Sequence, residues 1–188
     1  THQTFAMQTN KTLPLPVPAL LALSLAGAMG LAVFLGESCT KPPDYSNIPE
    51  IEFIRLSKNL MRQSSLGPDT VIITFGFTDG DGDLGTGQEG PEVFVFDGRD
   101  NFEKPPYKLP KIDQQGVGNG ISGEISILMP TTCCIFPPQN GIAYPPCDNS
   151  PNAPSMFDTV FYQIYIKDAA GNQSNTISTP PITLRCRF

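Results

Sequence analysis

An antiparallel, all-β sandwich of about seven strands is predicted for residues 48–188, on three observations. Asp69–Thr78 (DTVIITFGFT) sets Val71, Ile73, Phe75 and Phe77 on one face, and Thr159–Lys167 (TVFYQIYIK) does the same with Val160, Tyr162, Ile164 and Ile166. The chain holds 20 prolines and 17 glycines, which cut it into short segments separated by turns. No segment of the domain carries a sustained helical period, and several short strands with regular punctuation build sandwiches.

The elements follow in order. Ile48–Ser57 (IPEIEFIRLS) begins the first strand, and Asn59–Ser65 is either loop or a single helical turn. Asp69–Thr78 runs directly into an acidic loop, and Glu92–Asp97 (EVFVFD) is the return strand. Phe102–Ile112 is interrupted by proline and reads as an edge strand or loop. Gly120–Met129 turns Ile121, Ile125 and Ile127 inward. Residues 130–156 form an insertion with seven prolines, three cysteines and no period; Phe136 and Tyr144 could make a contact surface there, but a variable decorated loop with no dedicated ligand is the favoured reading. Thr159–Lys167 leads to the turn Asp168–Asn172, and Ser174–Arg185 is the last strand, broken at Pro180-Pro181.

The chemistry concentrates in Thr78-Asp79-Gly80-Asp81-Gly82-Asp83-Leu84-Gly85, where three carboxylates alternate with glycines. Two unit charges about 4 Å apart repel by roughly 4 kcal/mol at an effective dielectric near 20. Such a cluster calls for full solvation or a cation, and oxygen ligands on a flexible loop suit Ca²⁺ better than Mg²⁺. The spacing matches only the start of an EF-hand loop, because the sixth and twelfth positions are Leu84 and Gly90 rather than Gly and Glu. The expected site is therefore a calcium loop between strands; the competing reading is an acidic, solvated hairpin turn.

The formal net charge of −6 makes nucleic acid an unsuitable partner. Leu13–Gly36 carries no charge and follows Lys11, as an export or membrane-anchor segment does. Pro14, Pro16 and Pro18 break its first part, leaving Ala19–Gly36 as an apolar helix near the lower length limit for spanning a bilayer. Residues 1–38 are thus a signal peptide or anchor, 39–47 a tether, and 48–188 the folded domain. The junction Leu35-Gly36-Glu37-Ser38-Cys39 resembles a bacterial lipoprotein signal, which implies an N-terminal lipid on Cys39. The alternative is an uncleaved transmembrane helix, for which Ala26, Gly27, Ala28 and Gly30 offer close-packing positions in a structural subunit.

The remaining cysteines, Cys133, Cys134, Cys147 and Cys186, are an even set in an exported chain and predict two disulfides. One bond is expected inside the Cys133–Cys147 loop and one from that loop to Cys186. Zinc ranks below this, since no histidine or repeated C-x₂-C pair accompanies them.

Asp158-x-x-x-Tyr162, with Ile164 two residues on, resembles the tyrosine corner of immunoglobulin-like domains. In that topology the acidic loop joins the second and third strands, and the Asp168–Asn172 turn joins the sixth and seventh at the same end. Asp168 and Asn172 are then candidates to complete the ion shell of Asp79, Asp81 and Asp83; the alternative is simple turn chemistry, which needs no metal. The F-x-D-G-D-G-D-L-G run, followed downstream by Y-I-K-D-A-A-G-N-Q-S-N, is similar to small outer-membrane lipoproteins of the Bacteroidetes with one immunoglobulin- or cadherin-like domain. The resemblance implies an accessory or binding subunit of a larger envelope complex, held at the bacterial outer membrane by lipid, with protein partners.

Catalysis is not expected. The only histidine is His2, so the exported domain has no His-based acid–base pair or Ser-His or Cys-His nucleophile. Its carboxylates cluster in a turn instead of lining a cleft, which ranks glycan binding or glycoside hydrolysis below the accessory role.

Overall fold

The computed structural model describes residues 44–86, 90, 92–113, 120–148 and 150–187. The apolar leader, Cys39 and the start of the tether lie outside them. Among the described residues no helix is long and apolar enough to cross a membrane, and every regular element is a strand.

There are ten strands: β1 (Glu50–Leu56), β2 (Leu60–Arg62), β3 (Thr70–Asp79), β4 (Val93–Asp97), β5 (Phe102–Glu103), β6 (Ile121–Pro130), β7 (Phe157–Val160), β8 (Tyr162–Ile166), β9 (Ile177–Ser178) and β10 (Ile182–Arg185). They hydrogen-bond into three sheets, ordered β1-β3-β6, β2-β10-β7 and β5-β4-β8-β9. All pairings are antiparallel except β2 with β10. The inward faces share one apolar cluster, which includes Val71, Ile73, Phe75 and Phe77 of β3, Val93 and Val95 of β4, and Tyr162, Ile164 and Ile166 of β8. This packing of all-β layers is consistent with a β-sandwich. Each such aliphatic or aromatic side chain contributes roughly 1.5–3 kcal/mol by leaving water.

Several expectations need correction. Residues 60–62 are strand β2, parallel to β10 through Leu60–Thr183 and Met61–Leu184, rather than loop or helical turn. Three residues are too few to show a period, and only the partner strand defines them. Thr159–Lys167 is two strands: β7 pairs with β10, and β8 pairs with β4. The last strand is likewise two, with Pro180-Pro181 at the point where the chain leaves β9 for β10 in another sheet. Proline lacks the N–H that a continuous ladder would need. The added β2 and these two sheet changes turn about seven strands into ten. The return strand β4 does not pair with β3, so the acidic loop crosses between sheets and is not a hairpin.

The cysteines form Cys133–Cys147 and Cys134–Cys186 bonds. Adjacent residues in extended backbone point opposite ways. Cys134 is fully buried with Cys186, whereas Cys133 and Cys147 are half-buried. Gln63 is the internal clip: its Oε1 accepts the Cys134 N–H at 2.9 Å, and its Nε2 donates to the carbonyls of Asp148 and Cys186. Phe136 is packed into the core and meets Tyr144 edge-to-face at 6.4 Å, so its ring is spent on local packing. The tyrosine-corner hydrogen bond is not formed. The buried Tyr162 hydroxyl has no partner among the described residues, and Asp158 is engaged by Arg99 instead.

Candidate metal centre

The inward phase of two core strands ends in acid. On β3, Val71, Ile73, Phe75 and Phe77 point inward, and Asp79 is the next residue of that phase, fully buried at the strand's end. On β8, Tyr162, Ile164 and Ile166 point inward, and Asp168 follows two residues on, 6% exposed. Both carboxylates therefore sit at the rim of the core because strand parity carries them there.

The acidic loop then turns through Gly82 at φ 68°, a left-handed conformation open to glycine without a Cβ clash. That turn returns Asp83 toward the Asp168 turn, where its Oδ2 accepts the Ala170 N–H at 2.9 Å. The two remote loops are thus in direct contact. Asp79, Asp83 and Asp168 each offer a carboxylate oxygen, and these oxygens lie within 4.8 Å of one another. Asp79 Oδ2 accepts the Leu84 N–H at 3.1 Å. The Oδ1 atoms of Asp79, Asp81 and Asp83 are buried and have no hydrogen-bond partner among the described residues.

Asn172 braces the site from behind. Its backbone N–H donates to Asp168 Oδ1 at 2.7 Å and its Nδ2 to Asp168 Oδ2 at 2.8 Å, so it orients the Asp168 carboxylate. Glu92 was not legible as part of the site. It is buried, accepting the Gly85 N–H at 2.8 Å and the Leu109 N–H at 3.1 Å, and so ties the loop's exit to a third segment. Nothing in its sequence neighbourhood marks it, because its partners are backbone groups contributed by other loops.

The electrostatics match a site built for a cation. Burial pushes the Asp79 carboxyl up to about 6, and the charges of Asp81 and Asp83 add to the rise against the Leu84 hydrogen bond. Asp83 is raised by burial, then by Asp168 and Asp81. Unpaired buried carboxylate oxygens are costly, and a hard divalent ion bound by oxygen ligands relieves both the desolvation and the repulsion. The residues present fit such an ion: Asp79, Asp83 and Asp168 would hold it, with Asp81 beside them.

A second charged cluster lies at the other end of β4. Asp97 continues the inward phase of Val93 and Val95 and is 1% exposed. Arg99 donates to it through Nε at 2.9 Å and a terminal nitrogen at 2.7 Å, while Lys104 approaches within 3.2 Å. The same guanidinium reaches Asp158 at 2.6 Å and the Cys133 carbonyl at 3.0 Å. Burial alone would raise the Asp97 carboxyl, but the Arg99 hydrogen bonds and charge hold it below its ordinary range.

Comparison with protein-family models, curated proteins and solved structures finds no match to this chain.

Proposed function

We propose that residues 48–188 are a calcium-stabilised, immunoglobulin-like module without catalytic activity. In this reading it is carried on a lipid at Cys39 and serves as an accessory or binding subunit of a complex at the bacterial outer membrane. The observation that carries the ion is the convergence of Asp79, Asp83 and Asp168 from two loops remote in sequence, with the buried Asp79 Oδ1 lacking a hydrogen-bond partner among the described residues. The ion would cross-link the end of β3 to the end of β8, which belong to different sheets. Binding to the folded state alone adds RT ln(1 + [L]/Kd), roughly 1–3 kcal/mol at 10–100 times Kd. An affinity of about 10⁻⁴–10⁻³ M fits an extracellular module.

Calcium at about 10 mM, some 10–100 times that Kd, should raise the melting temperature by roughly 4–10 °C over chelator. Magnesium should do less, because it demands a tighter octahedron. Asp83→Asn, which removes one of the three converging carboxylates, should abolish the response. A melt indifferent to chelator removes the ion from the reading.

The anchor rests on Leu35–Cys39 and on the apolar run before it. Mass spectrometry of the protein from its native membrane should find a diacylated or triacylated Cys39 at the mature N-terminus. An intact leader there would replace the lipoprotein by a subunit held through a transmembrane helix.

A further inference from the structure

We infer that the ion loop also seats the tether, so that cation binding fixes the segment leading into the domain; this rests on the calcium reading above. Gly80 stands between two of the acidic residues, and its N–H donates to the Ser46 carbonyl at 2.7 Å. The backbones are so close that a Cβ on Gly80 would lie 2.3 Å from the Tyr45 carbonyl oxygen and 2.8 Å from the Ser46 carbonyl carbon. Only glycine admits that approach. The Tyr45 ring lies over the start of β6, with its Cδ2 3.2 Å from the Cβ position of Gly120 and its hydroxyl 3.3 Å from Ser122 Oγ. The Ser46 hydroxyl turns back to accept the Ile48 N–H at 3.0 Å.

The seat is thus one backbone hydrogen bond from the loop plus one half-buried aromatic ring. Its backbone half depends on where Asp79-Gly80-Asp81 is held. With a cation the carboxylates of Asp79 and Asp83, on either side of the turn, are drawn to one point and the Gly80 N–H is presented to Ser46. Without one, like charges push the loop outward and the hydrogen bond is lost. The consequence is that residues 45–46 are held against the sandwich in a cation-dependent way.

Brief chymotrypsin digestion of the full chain in detergent tests this, with cleavage after Tyr45 read by mass spectrometry. Cleavage after Phe102, 62% exposed on β5, serves as the internal reference. Calcium should slow the Tyr45 cut by roughly tenfold relative to chelator while leaving the Phe102 cut unchanged. Asp83→Asn should be cut at the fast rate under both conditions. Equal Tyr45 rates with and without calcium, in a protein whose melting temperature does respond to calcium, would overturn the seat and leave the ion site standing. Calcium protection that persists in Asp83→Asn would overturn it as well. If neither the melt nor the cleavage responds, the ion reading itself falls.

Discussion

In chelator, the domain should lose stability as pH rises from 4 to 7, and Asp79→Asn should remove most of that slope. The sign follows from proton binding. The Asp79 carboxyl is raised from its ordinary 3.8 to about 6 in the folded protein, first by burial and then by Asp81 and Asp83. A raised folded value means that the native state holds a proton that the unfolded chain has already released. The associated stability is fully present below pH 3.8 and is lost as pH passes through about 6. The difference corresponds to on the order of 3 kcal/mol for this one group. Asp83, raised by burial and by Asp168, shifts the balance in the same direction. Calcium reverses the preference, because a metal ligand must be deprotonated and the ion competes with the proton. The calcium-induced rise in melting temperature should therefore be small at pH 5 and full at pH 7. Asp79→Asn, neutral at every pH, should be more stable than the parent in chelator at pH 7 and should gain little from calcium. Thermal melts over pH 4–8 with and without calcium decide this. A slope of opposite sign in chelator would remove Asp79 as the proton-binding group.

Arg99→Met should destabilise the domain by roughly 3–5 kcal/mol, or lower its melting temperature by on the order of 10 °C. The guanidinium is 12% exposed, and it satisfies an Asp97 carboxylate that is 1% exposed. Removing the guanidinium leaves the buried Asp97 carboxylate with Lys104 alone as a charged partner, beside the hydroxyl-bearing ring of Tyr162, whose own ionisation Asp97 already opposes after burial. It also frees Asp158 and the Cys133 carbonyl, loosening the strap that holds the cysteine-rich segment to β4 and β7. Asp97→Asn in the Arg99→Met background should recover part of the loss, since the uncompensated charge is gone. Denaturant unfolding of both single variants and the double variant measures the coupling. Purely additive losses would mean that the cluster is screened by solvent and is worth no more than a surface pair.

The contrast between these two acidic clusters shows how far local pattern reaches. The Asp-Gly alternation announces Asp79, Asp81 and Asp83 because its repulsion has no purpose in a simple turn. Asp97 ends its strand in the same inward phase as Asp79, after Val93 and Val95, and that parity was readable. Its purpose was not, because Arg99, Lys104 and Asp158 converge only when β4, β5 and β7 are in place. Glu92 and Gln63 left even less trace. Both are buried polar side chains whose partners are mainly backbone groups of other segments, including Gly85 and Leu109 for Glu92 and Cys134 and Cys186 for Gln63.

Period-two alternation, proline and glycine punctuation and an even cysteine count suffice for an all-β domain with two staples, since each acts through near neighbours or the chain's own geometry. The same alternation carried through the turns puts Asp79 and Asp168 on the inner side. Which strand pairs with which, that β3 and β4 part into different sheets, and that the two acidic turns touch through Asp83 and Ala170 are decided in three dimensions. Pairing energy is nearly indifferent to local sequence, so the choice among partners is made by how the whole core closes.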